Sequence, residues 1–180
     1  MSIALVKSLG VKGCAIWKLD EAGRTGQNPN VDNVSIQLPS VEFETSSINL
    51  MGALDVPDVS RVGNMQLSAT IPVDVPDAMA LIELGKSVSW LITYCSQEYN
   101  AIDGTTTPKS YSINVTGFIT SIPNAEVNAG AEGTGDITMN LIAYKKVNNT
   151  DQIVEFEIDR GKGILKVRDK DLISRFTSLY

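Results

Sequence analysis

The sequence predicts a mainly β fold: an antiparallel β-barrel or sandwich with a short mid-chain helix and a C-terminal helix. Three observations predict it. Apolar and polar residues alternate along most of the chain, the mark of half-buried strands. The candidate strands follow one another at short intervals, which favours a meander closed into a barrel or sandwich. Apolar residues at helical spacing occur only in two short stretches.

The elements follow in order. Residues 12–20 (KGCAIWKLD) form a first strand, and residues 21–33 (EAGRTGQNPNVDN) a polar loop. Residues 34–38 (VSIQL) and 41–45 (VEFET) are strand-like. Pro39 separates them, because proline cannot donate to a ladder. Residues 46–63 (SSINLMGALDVPDVSRVG) show no sustained period and read as a long loop. Ile48, Leu50, Met51, Leu54 and Val56 make it too apolar to lie free, so it needs a cover. In residues 64–73, Met65, Leu67, Ala69, Ile71 and Val73 share one face, and Asn64, Gln66, Ser68 and Thr70 the other. Residues 76–84 suit a short helix, with Pro76 or Asp77 at its start and Gly85 just past its end. Residues 88–99 form a strand. Residues 109–122 (KSYSINVTGFITSI) give the clearest alternation. There Tyr111, Ile113, Val115 and Ile119 oppose Ser112, Asn114, Thr116 and Thr120, with Phe118 the exception on the polar face. Residues 135–145 place Ile137, Met139, Leu141 and Ala143 together. Residues 152–159 and 164–167 are further strands. From residue 170 to 180 the period changes: Leu172, Ile173, Phe176 and Leu179 fall at helical spacing, and Asp169 can cap the start.

A chain of 180 residues suits one domain, residues 1–180. No apolar run approaches the roughly 18 residues of a membrane span. Lys7, Lys12 and Lys18 interrupt the N-terminal stretch, so no secretory signal is expected. The net charge of −6 argues against nucleic-acid binding, which rests on Lys and Arg neutralising phosphates. A negative wall would still suit a surface that nucleic acid only slides past. The chain has no histidine, which removes Ser-His-Asp and Cys-His nucleophiles and most catalytic zinc sites. Cys14 and Cys95 are too few for a disulfide framework or a zinc site and read as small buried residues.

The remaining chemical motifs are weak. Leu84-Gly85-Lys86-Ser87 looks like the end of a phosphate-binding loop, but the glycine required at position 80 is Ala80. Glu42 and Glu44 share a strand face, as do Glu155 and Glu157. A catalytic pair needs environments that split its pKa values, and a solvated face explains such alternation more simply. No catalytic residue, cofactor or metal site is therefore expected. The polar strand faces are more informative. Asn64, Gln66, Ser68, Thr70, Ser112, Asn114, Thr116 and Thr120 are short and uncharged, where a solvent face is usually richer in charge. Such faces suit the wall of a water-filled channel. On alternation alone, a plain solvent-facing sheet accounts for them equally well.

The order of segments resembles that of the major tail tube proteins of contractile phages. The likeness covers most of the chain and is one of pattern. It runs through the strand at residues 14–19, the IQLP segment at 36–39, the glycine-containing stretch at 41–63 and the alternating strand at 64–73. It continues through VTGFITSIP at 115–123, the acidic and glycine-containing loop at 125–133, Tyr144-Lys145, Glu157-Ile158-Asp159 and the stretch at 166–171. The loop at 21–33 is longer than the pattern. The resemblance implies a homo-oligomer of hexameric rings stacked into a tube, with Asn64, Gln66, Ser68, Thr70, Ser112, Asn114, Thr116 and Thr120 lining its lumen. It implies that residues 46–63 are an assembly loop whose Ile48, Leu50, Met51, Leu54 and Val56 lie between subunits or rings. The implied partners are a tail sheath protein, baseplate and tail terminator proteins. A tape measure protein or DNA would pass in the lumen without specific binding, and assembly would take place in the bacterial host cytoplasm. A contractile bacteriocin or phage-like injection particle would use nearly the same protein, and a type VI secretion tube protein is a close third reading. A small β-barrel ligand-binding protein or hydrolase is the alternative of a different class.

Overall fold

In the computed structural model, which describes residues 6–49, 53–123, 133–168 and 170–172, the chain is almost entirely antiparallel strand. The first elements are β1 (Val6–Lys18), β2 (Val31–Asp32), β3 (Ser35–Gln37), β4 (Phe43–Asn49), β5 (Ala53–Val62) and β6 (Gln66–Pro72). A single turn of helix, α1 (Pro76–Met79), precedes β7 (Ser87–Asn100), β8 (Thr105–Ser121) and β9 (Thr134–Asn148). β10 (Ile153–Asp159), β11 (Ile164–Val167) and β12 (Lys170–Asp171) end the described chain.

The pairings return on themselves. β1 pairs with β7, β7 with β8, β8 with β9, the first half of β9 with β6, and β6 with β3. β2 pairs with β1 on its other side. β2 and β3 are one run of chain interrupted at Asn33, which takes a positive φ of 53°, and Val34, whose N–H donates to the Cys14 carbonyl (3.4 Å). The expected barrel is therefore closed through a two-residue seam, which removes most free sheet edges.

Alternation fills the barrel. Ile16, Met65, Leu67, Ile71, Trp90, Ile92, Ile113, Val115, Ile137, Met139 and Leu141 are buried in one continuous core. α1 and the turn after it close one end, with Ala78 and Leu81 fully buried and the Trp90 indole N–H donating to the Leu81 carbonyl (3.3 Å). The inward side chains beyond Ile92 and Ile113 are aromatic and charged. Tyr94 and Tyr111 stack at 4.9 Å, the Lys146 ammonium lies 4.9 Å above the Tyr111 ring, and Lys146 is paired with Glu155 at 2.7 Å.

The middle of β9 is where the sheet changes partner. Its first half pairs with β6; its second half pairs with β10, and β11 and β12 follow outward. The switch coincides with a bulge: Thr116 faces Ala143, yet the next residue, Gly117, faces Leu141. The inserted Ile142 turns its carbonyl to the N–H of Arg160 (3.1 Å). The bulge also reverses the alternation. Tyr144 is buried, and Ala143 no longer shares the face of Ile137, Met139 and Leu141 as strict period-2 spacing predicts. Gly117 is required here because a Cβ would lie 2.2 Å from the Asn140 carbonyl oxygen, a backbone atom that cannot step aside.

Several expectations are corrected. Residues 46–49 and 53–62 are not loop but paired strand of β4 and β5, with Ile48 opposite Leu54 and Ser46 opposite Val56. A ribbon that hydrogen-bonds to itself commits neither face to a core, so no period-2 signal is imposed. α1 ends at Met79, well short of residue 84, while Gly85 does take the positive φ (77°) that suits glycine. Lys170 and Asp171 form β12 against β11, so no helix begins there. Asp169, Ile173, Phe176 and Leu179 lie outside the described residues. Leu172 is partly buried against the core. Cys95 is exposed and Cys14 only partly buried, so neither is the small core residue expected.

Two predictions follow from the interior. Gly117→Ala should lower stability by about 1–3 kcal/mol or prevent folding, since added volume has only backbone to displace. Denaturant unfolding of the purified variant reads this, and an unchanged midpoint would contradict it. The second concerns alkali. Burial pushes the Tyr144 phenol up to about 12, against the attraction of Lys146. Burial also raises Tyr94. Burial pulls the Lys146 ammonium down, but its hydrogen bonds and charge interactions with Glu155 and Tyr94 together outweigh this and raise it overall. A raised folded pKa stabilises fully below the unfolded value and is lost as pH climbs through the folded one. Stability should thus fall by on the order of 2 kcal/mol between about pH 10 and pH 12, and Tyr144→Phe should remove part of that fall in thermal melts.

Candidate functional site

Two surfaces stand apart from ordinary solvent-facing sheet. The first is the outer wall formed by β6, the first half of β9, β8 and the first half of β7. Its residues are fixed by the same alternation that fills the barrel: wherever an apolar side chain points in, its neighbour points out. Gln66, Ser68 and Thr70 of β6 lie opposite Asn140, Thr138 and Asp136 of β9. Asn64, just before β6, is exposed. Ser112, Asn114, Thr116 and Thr120 of β8 are on this wall, and the first three face Thr93, Leu91 and Ser89 of β7. The structure thus brings all eight expected polar residues onto one continuous face.

The wall is knitted by its own side chains. The Thr70 hydroxyl donates to the Asp136 carboxylate (2.6 Å), Ser89 and Thr116 hydroxyls bond to each other (2.8 Å), and Thr120 donates to the Thr138 carbonyl (3.2 Å). The Ser112 hydroxyl donates to the Asn149 side-chain oxygen (2.9 Å). Short hydroxyl and amide groups held this way make most of the wall polar and uncharged, with the Asp136 carboxylate, Leu91 and the exposed Phe118 as departures. Sequence reasoning missed Ser87, Ser89, Thr93, Asp136, Thr138 and Asn140. The signal was present, because each alternates with a buried apolar neighbour, as Ser89 does with Val88 and Trp90.

Charge begins where β10 takes over. On the same outer face, Lys145 pairs with Glu157 (3.4 Å), and Lys166 and Asp171 are register partners. Glu155 and Glu157 do not share the solvated face that alternation predicts. A register shift between Val154 and Phe156 turns Glu155 inward to Lys146, and Glu157 points outward to Lys145. Among the described residues no group of three His, Cys, Asp or Glu side chains could hold a metal ion.

The second surface is the β4–β5 hairpin. It forms a two-stranded sheet of its own, paired with no other described strand. Phe43 and Val62 at its base pack against the core. The Arg160 guanidinium clasps that base, donating to the carbonyls of Val62 (3.0 Å) and Gly63. Beyond it, Arg61 pairs with Glu44 (3.6 Å) and Asp58 (3.7 Å), exposed contacts of little energetic weight. Ile48, Leu54 and Val56 are strand residues of this hairpin, while Leu50 and Met51 lie outside the described residues.

An open cleft of about 600 Å³ lies at the β2–β3 seam, lined by Val11, Cys14, Val34, Ile36, Ile92 and Tyr94 among others. Its described lining residues include no charged side chain.

The clasp generates a prediction. Arg160→Ala should leave barrel stability within about 1 kcal/mol, because the guanidinium is exposed, yet it should free the hairpin base. Hydrogen exchange is then expected to speed up in β4 and β5 only. Equal acceleration in β7 and β8 would show that Arg160 supports the barrel instead.

A family model described as phage tail tube protein FII matches residues 25–178 of this chain. Among curated proteins none matches at a significant level. Among solved structures, the chain is similar to one from the cryo-electron microscopy structure of an extracellular contractile injection system, the PVC sheath–tube complex in its extended state. The identity is 15%, the TM-score is 0.47, and the match covers 75% of this chain and 88% of that one.

Proposed function

Because the chain belongs to the phage tail tube protein FII family and is thereby a structural subunit of a tail tube, we propose that it polymerises as hexameric rings stacked into the inner tube of a contractile tail or tail-like particle. In this reading the neutral wall faces the bore. Residues Asn64, Gln66, Ser68, Thr70, Ser112, Asn114, Thr116 and Thr120 line the lumen. The tube is a passive conduit for DNA or effector, and the chain carries no catalytic function.

The observation that carries the reading is the division of the outer surface. The wall over β6, β9, β8 and β7 is hydroxyl-rich and carries little charge beyond the Asp136 carboxylate, whereas the strands beyond the β9 switch carry charge pairs. A solvent-facing sheet has no reason to segregate its charge in this way. A conduit does, because neutral short side chains neither bind phosphates nor grip a passing polymer. The charged sector suits the outside, toward a sheath protein. The baseplate and tail terminator would meet the two tube ends.

The β4–β5 hairpin serves as the arm between subunits, mainly toward the adjacent ring, with Ile48, Leu50, Met51, Leu54 and Val56 as its apolar content. An isolated ribbon is marginal in water on its own, so a two-stranded arm held only at its base gains most from a neighbour. Head-to-tail contacts of this kind close rings and extend filaments.

Two measurements test the reading. Thr120→Cys and Asn114→Cys in assembled tubes should react with a small maleimide and be several-fold slower with a bulky polymer maleimide that cannot enter the bore. Equal reaction would place the wall outside. Replacing residues 44–61 by a Gly-Ser turn, with Phe43 and Val62 kept, should give a folded subunit that no longer forms long tubes. Tubes of normal length in electron micrographs would assign stacking to another surface.

A further inference from the structure

The large apolar side chains left exposed gather at the two ends of the long strands. β7 sets the scale: its 14 residues, at about 3.3 Å each, separate the two ends by about 40 Å. At the α1 end are Val75, Met79 and Leu84, with Phe118 opposite Ser87 and Ile122 just past β8. At the other end are Tyr99, Ile102 in the turn between β7 and β8, Val11 opposite Ser96, and Ile153, which the register puts in line with Tyr94. Among the described residues no such side chain lies between the two sets. Exposed apolar residues scattered singly need no explanation, but two sets confined to opposite ends do.

Each end carries one exposed turn. At the α1 end it is Leu84-Gly85-Lys86, with Leu84 59% exposed and Gly85 at a φ of 77°. Lys86 is exposed and has no ion-pair partner among the described residues. At the other end it is Ile102-Asp103-Gly104, with Ile102 57% exposed. This tip is preformed. The Ile102 N–H donates to the Asn100 side-chain oxygen (3.0 Å), and the Asn100 amide donates to the Asp103 carboxylate (2.7 Å). Asp103 likewise has no ion-pair partner among the described residues. One turn thus offers an apolar side chain near a base, the other an apolar side chain next to an acid.

We infer that the Ile102–Asp103 tip of one copy docks on the Leu84–Lys86 turn of a second copy in the adjacent ring, with Ile102 against the Val75, Met79 and Leu84 patch and Asp103 toward Lys86. The inference rests on the reading above, in which the wall faces the bore and the charged strands face outward, so that the two ends are left for neighbouring rings. The occupant is a second copy because both halves of the joint are on this chain, are unlike each other and lie at opposite ends. Such a contact is heterologous and does not close, so it extends. It also fixes polarity, since like ends would set acid against acid or base against base. One pair of turns buries little area, so the joint acts together with the β4–β5 arm and with its copies around the ring.

The test uses Leu84→Asp and Ile102→Asp, each in the full chain, assembled alone and then mixed. Both sites are exposed, so each variant should melt like the parent. Each has one damaged and one intact end. Alone, each is expected to stop at single rings in electron micrographs. Mixed, the intact tip of Leu84→Asp rings meets the intact turn of Ile102→Asp rings, giving stacks two rings high and no higher. Long tubes from either variant alone would overturn the joint and leave the tube reading intact. Two-ring stacks from either variant alone would show like ends meeting and overturn the tip-to-turn contact. A mixture that stays as single rings would show that positions 84 and 102 do not face each other. A parent chain that forms neither rings nor tubes would overturn the tube reading itself. A charge swap gives a second readout. Lys86→Glu should shorten tubes several-fold at low salt, and Asp103→Lys in the same chain should restore them. No recovery in the double variant would remove the ion pair from the joint.

Discussion

The change of partner in the middle of β9 is the constraint on which the rest of this structure depends. A single 15-residue strand serves two neighbours on the same side, β6 with its first half and β10 with its second. That is possible only if the strand bends and re-registers, and a bulge is the local means of doing so. The bulge in turn demands a residue without a Cβ on β8, because the strands approach more closely there than a side chain permits. Gly117 meets that demand. The closed barrel, the charged outer sheet and the anchor of the hairpin at Arg160 all radiate from this point. Arg160 follows β10 directly, and its N–H bonds the inserted Ile142, so the same switch that divides the sheet also holds the arm.

Much of this was legible in the sequence. Period-2 alternation identified β6, β7, β8 and β9 and assigned the faces of β6, β8 and the first half of β9, since each of these buries one face and wets the other. The eight polar residues named from alternation all lie on the wall, whose remaining polar residues, Ser89 and Thr138 among them, were not singled out. The failures have physical causes of two kinds. One is non-local pairing: the β4–β5 ribbon satisfies its hydrogen bonds internally, so its sequence is free of the patterning that a core imposes, and Pro57 fits a ribbon edge without penalty. The other is the single inserted residue. Reading strict alternation through Ile142 sends Ala143 to the wrong face, and reading it through Glu155 invents a carboxylate pair. Nothing in the residue types announces an insertion; only the partner strand reveals it. The ends of elements misled for a simpler reason, as two residues of β12 are too few to show any period.

The seam between β2 and β3 bears on how the molecule forms. β7, β8 and β9 are consecutive hairpins and can pair as soon as they exist. β1 must wait for β7, some eighty residues later, and β6 must reach past both hairpins to β9. Contacts of such sequence separation are slow to form because chain closure must precede any gain. Until they form, the edges of β7 and β9 stand open with apolar faces beside them. The chain is then at its most vulnerable, since a stranger's strand can occupy either edge. The bent two-residue link at Asn33 and Val34 is consequently more than a closure of the barrel. It is the last link that takes the edges of β1 and β6 out of reach of a stranger's strand.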